Sequence, residues 1–420
     1  MSAGLLHSSL TWANTPPSWT LIKSIQRAFD IAPEIKTADA EVGKQQGKLE
    51  EADAWPNPSV ELQMDNSLGL EEADGSYDVT RMAISQPLPF GRLTHQRQQA
   101  GAELASAEAE RQHQQLLLEY NVAQRFHILQ LAEAKLLLAK QRLQQANRYH
   151  STDHQRTGKD PLVRFLTPLE RMRLDIVQQT AEQAVEVAEG EFNEAAASFK
   201  SLLGVSLDVR MPLTPLAPVP LPDEIKLLEN TQQAHPALEA AKKHILSVQA
   251  GVDVARSKRF TDPTITLFRE EAYLNGRRQE STGVMFNIQV PLWNLNNGSV
   301  HQARYAVYQA RDELDLKQRE LRTRLHKSYL HLGHLIQQAR QYQNKLLKPA
   351  QQVFTLTRKG FEAGELNILT LIDANNTYFD TQARYLELLQ EGWQELAEVR
   401  KSAGLRLTDN RPMTNFGEVE

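Results

Sequence analysis

The side chains best suited to chemistry in this chain are its histidines. His331 and His334 are three residues apart, on one face of any helix that holds them, with His326 nearby. His150 and His154 are four apart, with Asp153 between them. Imidazoles and carboxylates at such spacings are metal ligands. A protein metal site, however, needs three or four ligands converging with a supporting outer shell, and one helix face supplies two at most. Carboxylates are abundant but fall in alternating-charge stretches, whose default role is a solvated helix face. There is no Walker-type phosphate loop, no nucleophile-elbow serine and no zinc-protease helix motif. No catalytic residue, metal site or cofactor is expected, and enzyme is the class the residues favour least.

Composition narrows the alternatives. The 420 residues carry 47 Lys plus Arg against 52 Asp plus Glu, a net charge of -5, which argues against a nucleic-acid partner. The chain is 41% hydrophobic, and no run approaches the roughly 18 to 20 apolar residues of a membrane-spanning helix. With no cysteine, disulfides, thiolate sites and acylation of an N-terminal cysteine are excluded. Residues 1–19 are read as an N-terminal segment. Leu5, Leu6 and Leu10 are too few for a signal-peptide core, yet "LTWA" before "NTPP" could be the remnant of one.

The elements that would position any functional residue emerge from self-comparison. "APEIKTADAEVGKQQGKLEEADAWPNPSVELQM" from Ala32 aligns with "HPALEAAKKHILSVQAGVDVARSKRFTDPTITLF" from His235, so that Pro33 falls on Pro236, Trp55 on Phe260 and Pro58 on Pro263. "ISQPLPFGRLTHQRQQA" from Ile84 aligns with "IQVPLWNLNNGSVHQAR" from Ile288, and "RTGKDPL" with "FEAGELN". Two copies of one unit are therefore expected, at 20–209 and 223–405, joined by a Pro-rich extended linker at 210–222 and followed by a tail at 406–420. Each copy reads helix, strand, strand, very long helix, turn, helix. The long helices are expected from about Arg92 to His150 and from about Ser299 to Lys359, the second kinked at Pro349. About 60 residues at 1.5 Å each make a rod of roughly 90 Å. Apolar residues recur at threes and fours in "LLLEYNVAQRFHILQLAEAKLLLAKQRL", so the rods must pack on other helices. On the helices alone, a soluble coiled-coil scaffold stands level with any other reading.

The strands shift that balance. In hairpins at 58–88 and 263–292, Val60, Leu62 and Met64 alternate with Glu61, Gln63 and Asp65; Met82 and Ile84 form a weaker apolar side; Ile265 and Leu267 alternate with threonines. Val284, Phe286, Ile288 and Val290 alternate with Met285, Asn287 and Gln289. Four strands cannot close a barrel, since about eight is the smallest number that does. Three copies supply twelve, an even number of strands near the length that crosses a bilayer obliquely. The apolar rows would then face lipid, and Glu61, Gln63, Asp65, Asn287 and Gln289 would line a wet lumen. A soluble β-sandwich is the alternative. It gives no reason for Trp55, Tyr77, Phe90, Phe260, Tyr273 and Trp293 to gather at strand ends, as an interfacial girdle would.

The tandem halves, the "QPLPFGR" and "VPLWNLNNG" junctions and "FEAGELNILTLIDANNTY" resemble the TolC-type outer-membrane efflux proteins over about Thr20 to Leu405. "WPNPSVELQMDNS" and "PLWNLNNGSVHQAR" look most like the cobalt-zinc-cadmium (CzcC-like) heavy-metal branch. The resemblance implies a mainly α fold with a small β part: a homotrimer with a short 12-stranded β-barrel in outer-membrane lipid, continuing into a long periplasmic helical barrel. It implies a passive gated duct that docks on a periplasmic adaptor and an inner-membrane resistance-nodulation-division (RND) pump. By the family's pattern Asp373 falls on a gate aspartate, Thr370 stands where some members carry another, and Phe361 replaces a gate tyrosine. The hairpin tips near 156–162 and 358–366, with Arg156, Gly158, Lys159, Arg358, Lys359, Gly364 and Glu365, would be the adaptor-docking surface. A soluble scaffold and a periplasmic adaptor remain the rival readings.

Overall fold

The computed structural model describes residues 19–65, 79–155, 167–209, 213–274, 277–363 and 365–408. In the first half α1 (Leu21–Ile31) and α2 (Pro33–Asp53) lead to β1 (Ser59–Asp65) and β2 (Val79–Pro87), then to α3 (Arg92–Gln155) and α4 (Pro168–Leu202). The second half repeats this order with α5 (Glu224–Ala234), α6 (Pro236–Ser257), β3 (Thr264–Leu274), β4 (Arg277–Asn287), α7 (Asn297–Gln341), α8 (Lys348–Glu362) and α9 (Ile368–Ser402). Each half thus opens with two helices where the sequence reading has one. The break falls before Pro33 and Pro236. A proline suits a first helical turn, whose N–H groups lack partners anyway, and disfavours helix in the residue before it. His235 caps α6 by accepting the Ala237 N–H at Nδ1, 3.1 Å away.

The first long helix matches its expected extent, with α3 running 64 residues without interruption. The second departs from it. A π-helical segment at Tyr342–Leu347 separates α7 from α8, and Pro349 sits in the first turn of α8. Inside an α-helix, the pyrrolidine ring would collide with the carbonyl four residues back. A wider i to i+5 turn just before it relieves that collision. The strand predicted through Val290 ends at Asn287, three residues sooner.

Cα packing divides the chain into two compact units: Met1–Glu34, Gln115–Gln233 and Leu321–Glu420 form one, and Ile35–Gln114 with Ala234–Glu320 the other. The first unit is helical. Its core gathers Val219, Leu227, Leu325, Leu332, Ile336, Leu396 and Val399. The Pro-rich linker is fastened to this core. Val219 is buried against it, the Trp393 indole N–H donates to the Ala217 carbonyl at 2.7 Å, and the Tyr329 hydroxyl donates to the Pro222 carbonyl at 3.2 Å. Gly392 permits the approach, because a Cβ there would lie 3.0 Å from Val219 Cγ2. The linker is a strap, not a tether.

Two buried polar groups hold this unit's ends. His127 stacks on Trp393 with ring centroids 5.3 Å apart, and its Nδ1 lies 2.8 Å from Gln130 Oε1. Gln130 donates its amide N–H to the Thr214 carbonyl, so its oxygen faces the ring and Nδ1 carries the proton. Glu119 is fully buried and accepts from Arg406 Nε at 2.8 Å, the Leu407 N–H at 2.6 Å and the Thr408 hydroxyl at 3.0 Å. These bonds latch the segment after α9 onto α3. Gly204 and Gly404, both at positive φ, close α4 and α9 with the same six-residue return bonds, Val205 N–H to Lys200 O and Leu405 N–H to Arg400 O.

The second unit contains, among the described residues, one antiparallel sheet of four strands in the order β1-β2-β3-β4. Its junctions to helices are pinned. The Arg92 Nε, at the start of α3, donates to both Asp262 oxygens at 3.1 and 2.9 Å, and the Leu88 N–H donates to the Pro263 carbonyl at 2.7 Å. Surface pairs such as Lys48–Glu103 and Arg97–Asp53 tie α2 to α3 but contribute little in water.

Two outcomes follow from the buried polar groups. Desolvation holds the His127 ring well below the ordinary imidazole range, at about 4, against a smaller upward pull from Gln130. Between about pH 6.5 and 4 the unfolded chain therefore binds a proton that the folded chain refuses. Stability is complete above about 6.5 and falls by up to about 3 kcal/mol as pH drops to about 4. Urea midpoints in detergent at pH 7 and 4.5 should show this loss, and His127→Phe should flatten it. Glu119→Ala strands three donors and should cost about 3 kcal/mol in the same assay, with lost hydrogen-exchange protection at Leu407.

Candidate functional site

The sheet register sorts its side chains onto two faces. Val60 pairs with Ile84, Ile84 with Leu267 and Leu267 with Val284, which makes one apolar row across all four strands. Leu62 with Met82, and Ile265 with Phe286, extend the row up and down the strands. All of these residues are exposed, Val60 at 71% and Val284 at 67%. Below the strands the apolar surface continues through Ile288, Val290 and Leu292 to Trp293, exposed at 93%, beside Trp55, Phe90 and Phe260, which are also exposed. Above it, Arg269, Glu271, Arg278 and Glu280 form an exposed ion-pair cluster, with Arg269 2.7 Å from Glu280. A continuous band of bare hydrophobic surface, rimmed by aromatics at one end and by charges at the other, is what a bilayer covers and what a water-soluble fold buries.

The opposite face is polar. Glu61, Gln63 and Asn287 share it with Ser85, Thr266, Arg81 and Glu270, and Ser85 and Thr266 are hydrogen-bonded at 2.7 Å. Asp65 pairs with Val79 at the end of β1. Gln289 lies beyond the end of β4, in the stretch leading to α7. Among the girdle residues Tyr77 lies outside the described residues, and Tyr273 is in β3.

At the helical end the predicted positions divide. Arg156, Gly158, Lys159 and Gly364 lie outside the described residues. Lys359 and Glu365 are exposed beside the second turn. Arg358 is half-buried, with its guanidinium over the Phe354 ring and its Nε 3.9 Å from Glu362. Thr370 and Asp373 are exposed one turn apart on α9, a face continued by Thr377 and Asp380. Asn367 caps α9, its Oδ1 accepting from both the Thr370 N–H and hydroxyl at 2.9 Å. Phe361 turns the other way. It is half-buried against Leu174, Phe354, Ile368 and Leu371, so its ring serves packing. Arg142 of α3, which the sequence reading passed over, donates to Asn376 at 2.7 Å and lies 3.2 Å from Asp380. No sequence signal marks that pairing. Among the described residues no three His, Asp or Glu side chains are placed to hold a metal, and no helix is long and apolar enough to cross a membrane.

A two-faced sheet with open edges, set on very long helices, defines the class of protein whose strands enter a bilayer. The chain belongs to the outer membrane efflux protein family, whose signature it matches at residues 24–205 and 227–405. Membership makes it an outer-membrane efflux protein and not an enzyme. It is 25% identical over 243 residues to the cobalt-zinc-cadmium resistance protein CzcC of Cupriavidus metallidurans, a match spanning 57% of each chain. Its fold is similar to that of CusC, with a TM-score of 0.73 and 19% identity over 92% of both chains. It is likewise similar to the open-state MtrE outer membrane channel of Neisseria gonorrhoeae, with a TM-score of 0.72 and 16% identity over 92% of this chain and 89% of that one.

If Phe361 packs rather than lines a passage, Phe361→Ala should lower stability by about 2 kcal/mol, the lower end for a large aromatic because the ring is only half-buried. Unfolding in detergent measures this, and an unchanged midpoint would return the ring to a lining role.

Proposed function

We propose that this chain is the outer-membrane duct of a tripartite exporter. Three copies join their sheets into a 12-stranded barrel, and the duct docks on a periplasmic adaptor fed by an inner-membrane RND pump. The observation that carries this reading is the exposed apolar row Val60–Ile84–Leu267–Val284 on a sheet whose two outer strands have unpaired edges among the described residues. Open edges in lipid would leave backbone groups unsatisfied, and closing the sheet on further copies removes them. Exposed helical stripes, Leu169, Met172 and Ile176 on α4 with Val353 and Leu356 on α8, supply surface for further copies to cover. The tandem match of the family signature supports the division at 20–209, 210–222 and 223–405. The likeness to CzcC supports divalent metal cations as cargo.

In this reading the polar face carrying Glu61, Gln63, Asp65 and Asn287 lines the lumen, with Gln289 just below the strands. The gate is then formed by Asp373 and Thr370, whose exposed positions leave three carboxylates free to form a ring. Phe361 has no part in that ring. The adaptor would meet the tips, Arg156, Gly158 and Lys159 on one and Lys359, Gly364 and Glu365 on the other, while Arg358 braces the second tip from inside.

The test is the asymmetry of the two sheet faces. Val284→Arg puts a charge into hydrocarbon and should cost about 2–4 kcal/mol per copy, abolishing assembly of a detergent-extracted trimer in outer-membrane fractions. Gln63→Arg, on the other face, should leave the trimer intact. A protein that fractionates as soluble, or that tolerates both changes equally, would overturn the reading.

A further inference from the structure

One side chain on the sheet's polar face differs from its neighbours in how it is held. Phe268 of β3 stands directly opposite Gly283 of β4. Its ring lies across that glycine so closely that a Cβ at position 283 would fall 2.6 Å from the ring's Cζ. The absent side chain lets the ring lie down on the sheet, a known way of covering a strand glycine. Arg81 of β2 rests on the ring's free side, with its guanidinium carbon 4.4 Å from the ring centroid. The residue directly opposite Arg81 is Glu270, yet among the described residues Arg81 has no carboxylate within ion-pair distance. The aromatic face holds the guanidinium by cation–π attraction, which orients it without cancelling its charge.

The other charged positions of the face are of both signs. Glu61 lies on β1 one row away and Glu270 on β3 in the same row, with Gln63 and Ser281 completing that row and Arg277 at the far end of β4. Carboxylates alone would make a narrow wet passage strongly cation-selective and would tend to retain multivalent cations, since rings of like charge set pore selectivity. An arginine among them cannot discharge by losing its proton. We propose that Arg81, laid on the Phe268 ring, is a fixed positive charge that limits the duct's preference for cations over anions, so that hydrated cations pass without being held. This rests on the reading of the polar face as a lumen.

The experiment is the reversal potential of the purified full-length protein in a planar bilayer under a tenfold KCl gradient. Arg81→Gln keeps the stem and removes the charge, and should raise the K+ to Cl− permeability ratio by about twofold or more. Arg81→Lys keeps the charge and should stay near the wild-type ratio, which separates charge from packing. Both changes are also made in an Asp373→Asn background, where the proposed tip ring no longer contributes its carboxylates. A ratio that Arg81→Gln leaves unchanged in both backgrounds, or that Arg81→Lys moves as far as Arg81→Gln does, overturns the proposal. A wild-type protein that forms no pore at all would instead overturn the duct reading on which it rests.

Discussion

Everything in this protein answers to the backbone of an open sheet. A strand at a sheet edge carries a row of N–H and C=O groups that must find partners, and in hydrocarbon they find none except another strand. Here β1 and β4 are such edges, and the strands between them are too few to curl back and meet. The side chains add a second demand. Period-two alternation puts Val60, Ile84, Leu267 and Val284 on one surface and polar groups on the other, and the apolar surface is bare in the single chain. A packed protein layer could satisfy the second demand alone. Under the duct reading, lipid outside and neighbouring copies at the edges would satisfy both.

The long helices follow from the same demand. A sheet that must sit at a set depth needs rigid supports at its base, and the base is where the bidentate Arg92–Asp262 pair and the Leu88 to Pro263 bond tie strand ends to α3 and to each other. Away from the sheet, the helical unit keeps its form through buried polar contacts that join segments far apart in sequence. Glu119 holds the chain after α9, and Gln130 and Trp393 hold the strap between halves. A buried carboxylate or imidazole is tolerable only when its partners are in place. Such contacts therefore specify one arrangement of the strap and terminal segment more sharply than apolar packing alone could.

This division explains what the sequence made legible. Alternation in β1 and β4, uninterrupted helical pattern in α3 and the order of landmarks in the two halves are local properties, read within a window of ten to thirty residues. The sheet, the long helix and both sheet faces were accordingly foreseeable, including Glu61, Gln63 and Asn287 on the polar side. What was missed depends on pairing across distance. Pro-rich 210–222 reads as extended, and nothing near it announces that Trp393 and Tyr329 will clamp it. Phe361 occupies a gate position by family pattern, but its burial is decided by Leu174 and Leu371, which only the folded hairpins bring to it. Proline at 349 marked a disturbance of the long helix but not the π-turn beside it, because a π-turn has no composition of its own. The stretch Tyr342–Leu347 contains neither Gly nor Pro.

The stacked Arg81 belongs with these long-range features and can be compared with the charged positions of α9. On α9, exposed Asp373 stands one turn before Thr377 and two before Asp380, and Arg142 is already engaged by Asp380 and Asn376. At the sheet, the acidic groups are interrupted by a guanidinium stacked on an aromatic ring. Under the duct reading the two places would therefore treat a passing cation differently: a carboxylate ring attracts it, and mixed charge releases it. A conduit that moves ions without chemical work needs such a decline in affinity along its length, because a site that binds well everywhere delivers nothing.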